Sequence, residues 1–313
     1  MVQYYKNINH STIEIQQPEG ANWINVTPPF KEREIENLSQ ALNIHRDFLV
    51  DTLDIEERAR FEVDEGVKLI VLKTPVDNES LNEGDAYYVT IPISIILTEK
   101  NQVLTVNSFE NVAIRRFLTT FAKRHPERPN MMVLKIFEKV VMDFMEVLKD
   151  INHQRNTIEQ KLYVSNRNEE LLNLMRIQKS LVYLVTALRS NELLLMKMER
   201  TNFLNANEDE QEFLTDLIVE FSQALEMANT YTNILISTMD AYASIINNNM
   251  NIVMKRLTSI TIIISLPTLI ASFYGMNVPI PEQDHSYSFW FPIILALVVA
   301  VIMSWYFNKK NWF

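Results

Sequence analysis

The chain has 313 residues, no cysteine, only four glycines and a formal net charge of −10. The lack of cysteine excludes disulfides, thiolate metal sites and cysteine nucleophiles, and the scarcity of glycine excludes glycine-rich phosphate loops from most of the chain. The charges of residues 257–313 sum to zero, so the whole negative charge lies in residues 1–256. An acidic body of this kind argues against nucleic acid as a partner and is compatible with a cation.

The N-terminal part, residues 1–128, mixes strand and helix signals and ends near Pro126 and Pro129. Runs rich in Val, Ile and Thr predict strands over Asn22–Val26, Val67–Lys73, Tyr88–Leu97 and Gln102–Val106. Amphipathic patterns predict helices over Lys31–Leu42, Arg46–Leu53 and Asn111–Ala122. Strands interleaved with helices indicate an α/β domain.

The next part, residues 129–256, is helical throughout. No proline occurs from residue 130 to residue 266, and no glycine occurs there either. Two helices are predicted over 131–161 and 168–200, and a third pattern runs from about Glu210 without a helix breaker as far as Pro267. These helices predict a stalk domain that continues into the next part of the chain.

Residues 257–313 predict a transmembrane domain of two helices. The segments 257–275 and 289–307 carry no charge, and each is about as long as a helix that crosses a bilayer core. A buried helical hairpin in a soluble protein is the alternative, which the long uncharged segments and their flanking charges disfavour.

The charges beside these segments predict their orientation. Basic residues flank the two spans on one side, at Lys255, Arg256, Lys309 and Lys310. The short loop 276–288 lacks Lys and Arg and carries two acids. The positive-inside rule then predicts a multi-pass protein of the cytoplasmic membrane, with both termini in the cytoplasm and the loop on the outer side.

A polar stripe follows one face of the third helix at alternating steps of three and four residues, which is the period of a supercoiled helix face. All of its members but one methionine are polar: Asn233, Ser237, Asp240, Ser244, Asn247, Asn251, Met254, Thr258, Thr261, Ser265, Thr268 and Ser272. We call the five members within the span, Thr258, Thr261, Ser265, Thr268 and Ser272, the hydroxyl seam. Its hydroxyls either line a water-filled pore or make packing contacts within and between helices.

The pore interpretation has two consequences. One polar seam cannot enclose a pore, and the second span contributes no second seam, because Ser304 is its only hydroxyl residue before Tyr306. Several copies of the chain must therefore surround the axis as a homo-oligomer. Because the seam contains no charge, it favours a passive path for a hydrated cation over a proton-coupled carrier. Mg²⁺ is suited to such a path, because it dehydrates reluctantly and prefers oxygen ligands.

The outer end of the first span reads Tyr274-Gly275-Met276-Asn277, and this resembles the G-M-N signature of the CorA family of magnesium channels. Asn251–Lys255 with Leu257-Thr258 resembles the inner pore entrance of that family, and Trp23–Val26 resembles its N-terminal W-I-N motif. The resemblance therefore spans nearly the whole chain. It implies a funnel-shaped homopentamer with an α/β cytoplasmic domain, a long helical stalk and two C-terminal transmembrane helices.

The resemblance also implies roles for individual residues. Gly275, Met276 and Asn277 form a selectivity filter that binds hydrated Mg²⁺, and Met254 and Leu257, with Asn251 beside them, form a gate. Asp51 and Asp216 form a regulatory Mg²⁺ site between subunits, through which cytoplasmic Mg²⁺ closes the pore. Glu282 and Asp284 form an outer acidic ring that attracts cations.

Other functions stay open at this point. A zinc transporter of the ZntB type has a similar architecture, but the five histidines lack the spacing of zinc ligands. Co²⁺ and Ni²⁺ are further candidate ions for transport beside Mg²⁺. A membrane-anchored sensor or scaffold without ion flux is a second alternative. An enzyme is least favoured, because no nucleophile–base pair or phosphate loop is present.

Overall fold

The computed structural model describes residues 1–8, 11–18, 20–29, 31–78, 86–109, 114, 117, 128–162, 168–277, 285 and 288–312. The chain folds as two compact units, residues 1–236 and residues 237–313. Apart from Ile114 and Phe117, the helix predicted over Asn111–Ala122 lies outside the described residues.

The first unit is built on a mixed sheet of seven strands in the order β2-β1-β3-β7-β6-β5-β4. The strands are β1 (Val2–Ile8), β2 (Ser11–Ile15), β3 (Trp23–Val26), β4 (Arg60–Asp64), β5 (Val67–Asp77), β6 (Tyr88–Leu97) and β7 (Val103–Asn107). Strands β3 and β7 pair in parallel, and every other described pair is antiparallel. The four predicted strands are present, and β1, β2 and β4 were not predicted.

Two short helices cover one face of the sheet. Helix α1 (Glu32–Leu42) and helix α2 (Arg46–Val50) bury apolar side chains such as Leu38 and Phe48 in a cluster with residues of β3, β5, β6 and β7. The single helix predicted over Arg46–Leu53 was wrong in its last turn, because the helix ends at Val50 and tightens into a 3₁₀ turn over Asp51–Leu53.

Helices α3 (Pro129–Leu162) and α4 (Asn168–Arg200) contact β5 and β6. Ile70 and Leu72 point away from the α1–α2 face and are also fully buried, so both faces of the sheet are covered. The fully buried Asn191 of α4 attaches this layer to β5. Its amide accepts a hydrogen bond from the Lys73 backbone N–H (2.9 Å) and donates one to the Lys73 carbonyl (2.7 Å).

Helix α5 (Glu208–Tyr274) is 67 residues long and begins at a reciprocal cap. The Asn207 side chain accepts a hydrogen bond from the Glu210 N–H (3.0 Å), and the Glu210 carboxylate accepts one from the Asn207 N–H (3.1 Å). The part of α5 from Ser237 onward belongs to the second unit, together with α6 (Trp290–Lys309). Both α5 and α6 are long and apolar enough to cross a membrane, which confirms the prediction of two apolar C-terminal helices.

Candidate ion pathway and regulatory acids

Helices α5 and α6 meet along one face of each. The less exposed positions of α5 in the second unit recur at helical spacing and include Ser259, Ile263, Leu266, Ile270 and Tyr274. Those of α6 also recur at helical spacing and include Pro292, Ala296, Ala300, Met303 and Phe307. At one end of the contact, the rings of Tyr274 and Phe291 lie with centroids 6.4 Å apart.

The hydroxyl seam lies on the opposite side of α5. At about 100° of rotation per residue, the seam and the face toward α6 are about 180° apart around the helix. All five seam residues are exposed in the chain, whereas Ser259, on the face toward α6, is fully buried. The seam is therefore available to whatever surrounds the hairpin.

Three of the five seam hydroxyls donate their protons within their own helix. Thr261 donates to the Leu257 carbonyl (2.9 Å), Ser265 donates to the Thr261 carbonyl (2.7 Å), and Thr268 donates to the Ile264 carbonyl (2.9 Å). A hydroxyl has one proton and two acceptor lone pairs, so each of these oxygens faces outward as an acceptor. Water bound to a cation directs its hydrogens outward, and an acceptor surface therefore matches a hydrated cation.

The predicted gate residues lie on α5 just before the first residue of the seam. Met254 and Leu257 are 52% and 57% exposed, and Asn251 is exposed as well. Packing within the described chain does not account for two large apolar side chains at these positions. They stay predicted gate residues.

The predicted filter follows the end of α5 at Tyr274. The Gly275 N–H donates to the Ala271 carbonyl (3.0 Å), and Met276 and Asn277 are exposed. The φ angle of Gly275 lies outside the left-handed region, and a Cβ there would make ordinary contacts with the carbonyl oxygens of Ala271 (3.4 Å) and Ser272 (3.6 Å). The fold of the single chain therefore does not require glycine here. The predicted outer ring of Glu282 and Asp284 lies outside the described residues.

Asp51, the first predicted regulatory acid, begins the 3₁₀ turn and is bound to an arginine. Its Oδ2 accepts a hydrogen bond from Arg60 Nη2 at 2.7 Å. The same guanidinium binds Glu62 (2.7 Å) and Glu57. Burial lowers the pKa of Arg60, but its hydrogen bonds to Glu62 and Asp51 outweigh burial, so the pKa is raised and Arg60 stays charged.

The Asp51–Arg60 pair lies in an open surface depression in which four of the eight lining residues are acidic. It is lined by His45, Asp47, Phe48, Asp51, Arg60, Glu62, Val63 and Asp64. A cation that approaches Asp51 here meets other carboxylates and one competing guanidinium.

Asp216, the second predicted regulatory acid, is exposed on α5. One turn later, the pKa of Glu220 is raised by burial and by the charges of Glu138 and Asp216, and Lys135 opposes this shift. Among the described residues no three His, Asp or Glu side chains converge as a metal site. Asp51 and Asp216 of one chain therefore do not form a closed site together with a third such ligand.

Comparison with known proteins places these features in a family. Residues 18–310 match the family model described as CorA-like Mg²⁺ transporter protein. This match includes the predicted gate, seam and filter as well as both predicted regulatory acids. The chain belongs to the CorA family.

Relatives of this CorA-family chain match along nearly its full length. The cobalt/magnesium transport protein CorA of Methanocaldococcus jannaschii is 28% identical over 296 residues, which cover 93% of this chain and 90% of that protein. The complete structure of the CorA magnesium transporter from the same organism superposes with a TM-score of 0.87 at 26% identity, covering 100% of this chain and 99% of the other. The cytoplasmic domain of ZntB from Vibrio parahaemolyticus shares the fold at 13% identity, with a TM-score of 0.60 over 79% of this chain and 98% of that domain.

Sequence reasoning missed two groups beside the two predicted regulatory acids. Arg60 was not predicted, because its strand, β4, was not predicted and no spacing rule connects Arg60 to Asp51. Glu220 could have been noted, because it follows Asp216 by four residues on a predicted helix and therefore lies on the same face.

Proposed function

We propose that this protein carries Mg²⁺ across a membrane, as a homopentamer whose α5 helices surround a wet axial pathway. Its CorA relative is named as a cobalt/magnesium transport protein, which supports Mg²⁺ and Co²⁺ as transported ions. Ni²⁺ is proposed as a further transported ion. The positive-inside pattern supports termini in the cytoplasm.

One observation carries the proposal. The hydroxyl seam is exposed on the side of α5 away from α6, and three of its hydroxyls already donate their protons within the helix. A conduit lined this way offers acceptors to the outward hydrogens of a hydrated cation and offers few donors to an anion. It contains no fixed charge that would trap a divalent ion.

The remaining residues have successive roles along the proposed pathway. Asn277 amide oxygens ring the outer mouth, with Gly275 allowing the backbones of neighbouring copies to approach and Met276 between them. Met254 and Leu257 form an apolar gate that closes by dewetting, with Asn251 beside it. Glu282 and Asp284 raise the local concentration of cations outside.

Regulation follows from the acidic body of the protein. Asp51 of one subunit and Asp216 of its neighbour bind cytoplasmic Mg²⁺, which relieves the repulsion between acidic subunits and holds the pore closed. Arg60 already pairs with Asp51 at 2.7 Å, so Mg²⁺ binds by displacing this guanidinium toward Glu57 and Glu62.

The test is Mg²⁺ flux into liposomes that contain the full-length protein. We expect Asn277→Ala to reduce flux strongly and Asn308→Ala, an exposed asparagine of α6, to leave it unchanged. Flux of Zn²⁺ without Mg²⁺ would favour the ZntB alternative. No flux of any divalent ion, with Asn277→Ala silent, would favour a sensor or scaffold.

A further inference from the structure

Four basic residues lie at the same end of the α5–α6 hairpin. Arg256 lies 18 residues before Tyr274, and Lys309 lies 18 residues after Phe291. Because the Tyr274 and Phe291 rings are in contact and the helix rise is the same in both directions, these two cations lie at about the same depth, ~27 Å from the aromatic contact. That distance is about the thickness of the hydrocarbon core. We call Lys255, Arg256, Lys309 and Lys310 the basic rim.

The described residues of its own unit place no acid close to the basic rim. All four side chains are exposed. Among the described residues of the second unit the single acid is Asp240, which lies 15 residues before Lys255 on the same helix, or ~22 Å along it. Four cations at the edge of an apolar hairpin are therefore without a neighbouring carboxylate among the described residues of this unit, and an anion from outside the unit can neutralise them.

One lysine of the rim lies over an aromatic ring. The ammonium of Lys309 lies 5.1 Å from the centroid of the Trp305 ring. Beyond the lysines, the Trp312 N–H donates to the Phe307 carbonyl (3.0 Å) and the two rings stack at 5.3 Å. The chain after Lys310 thus folds back onto α6, and tryptophan rings of this kind prefer the headgroup level of a bilayer.

We propose that the basic rim binds the phosphate groups of anionic lipids. Ammonium and guanidinium groups donate charge-assisted hydrogen bonds to phosphate oxygens, and each cation near an anionic surface contributes a factor of about five in affinity. The partner is a lipid surface, and the inference does not depend on whether the protein conducts ions.

The test measures which lipid touches the rim in vesicles that contain the full-length protein. Trp290→Phe removes the tryptophan near the other end of α6, and Trp23 is fully buried in the first unit, which leaves Trp305 and Trp312 as reporters. The vesicles are phosphatidylcholine with a small fraction of either brominated phosphatidylglycerol or brominated phosphatidylcholine, whose bromines quench nearby tryptophan. We expect several-fold stronger quenching by the brominated phosphatidylglycerol.

Variants and a soluble competitor complete the test. Lys309→Gln with Lys310→Gln should reduce the preference at least fivefold, whereas Lys309→Arg with Lys310→Arg should keep it. Raised salt should weaken the preference for phosphatidylglycerol in the protein that keeps both lysines, because salt screens the attraction between charges. This measurement tests the proposal without any substitution in the rim. Equal quenching by both lipids, or a preference that survives both glutamine substitutions and salt, would overturn the proposal. Full competition by soluble glycerol phosphate would also overturn it, by assigning the rim to free anions.

Discussion

Replacing Arg60 with glutamine tests whether a guanidinium competes with Mg²⁺ for Asp51. The two groups are 2.7 Å apart, and their side chains are 28% and 33% exposed, so solvent screens the pair and its contribution is about 1 kcal/mol. Arg60→Gln removes that competitor and leaves the carboxylates of Glu57 and Glu62 without their shared cation. We therefore expect internal Mg²⁺ to inhibit flux at a midpoint about fivefold lower.

The assay is Mg²⁺ flux into liposomes with the internal Mg²⁺ concentration varied. Arg46→Gln is the matched control, because Arg46 pairs with Glu32 at 3.2 Å in an exposed ion pair of the same unit, and its midpoint should not move. If Asp51→Asn abolishes inhibition while Arg60→Gln leaves the midpoint unchanged or raises it, the competition argument is refuted. Undiminished inhibition in both Asp51→Ala and Asp216→Ala would reject the regulatory site itself.

Three further predictions follow from single contacts. Ser265→Ala should lower Mg²⁺ flux about fivefold, because each lost hydrogen bond costs ~1 kcal/mol. The control is Ser259→Ala, which should leave flux unchanged, because the Ser259 hydroxyl makes the same kind of bond on the buried face of α5. Equal effects of the two variants on flux would contradict the orientation of the seam. Gly275→Ala should leave thermal stability nearly unchanged and reduce flux, and normal flux would remove the need for glycine at the outer mouth. Asn191→Leu should destabilise the protein by about 2–3 kcal/mol in denaturant titration, because the Lys73 backbone N–H and carbonyl lose their partners; an unchanged midpoint would mean that water replaces the amide.

The strands that the sequence predicts are the buried ones. Strands β5 and β6 are runs of Val, Ile and Leu whose side chains are mostly buried, and such runs have few alternatives to a sheet core. Strand β4, Arg-Phe-Glu-Val-Asp, lies at the sheet edge and is largely exposed, so its composition resembles that of a loop. A signal was nevertheless present, since Glu65-Gly66 forms a two-residue hairpin turn with left-handed φ at both positions.

The candidate site also has one part that the sequence predicts and one part that it does not. The hydroxyl seam can be predicted because its periodicity is a property of one helix, and the structure then shows that this face points away from α6. The Asp51–Arg60 pair joins a 3₁₀ turn to the edge strand that follows it, nine residues later in the chain. Contacts of that kind depend on tertiary structure, which no local pattern encodes.

The most direct test of the pathway is the chemical accessibility of its lining. The chain has no cysteine, so Thr261→Cys and Ser265→Cys each introduce the only thiol. We expect both to react with a water-soluble, charged thiosulfonate reagent in liposomes and external Mg²⁺ to slow the reaction. Ser259→Cys on the buried face and Ile260→Cys, an exposed position about 100° around the helix from Thr261, should stay unreactive. Unreactive thiols at both seam positions, or reaction at the same rate at all four, would contradict a wet conduit lined by the seam.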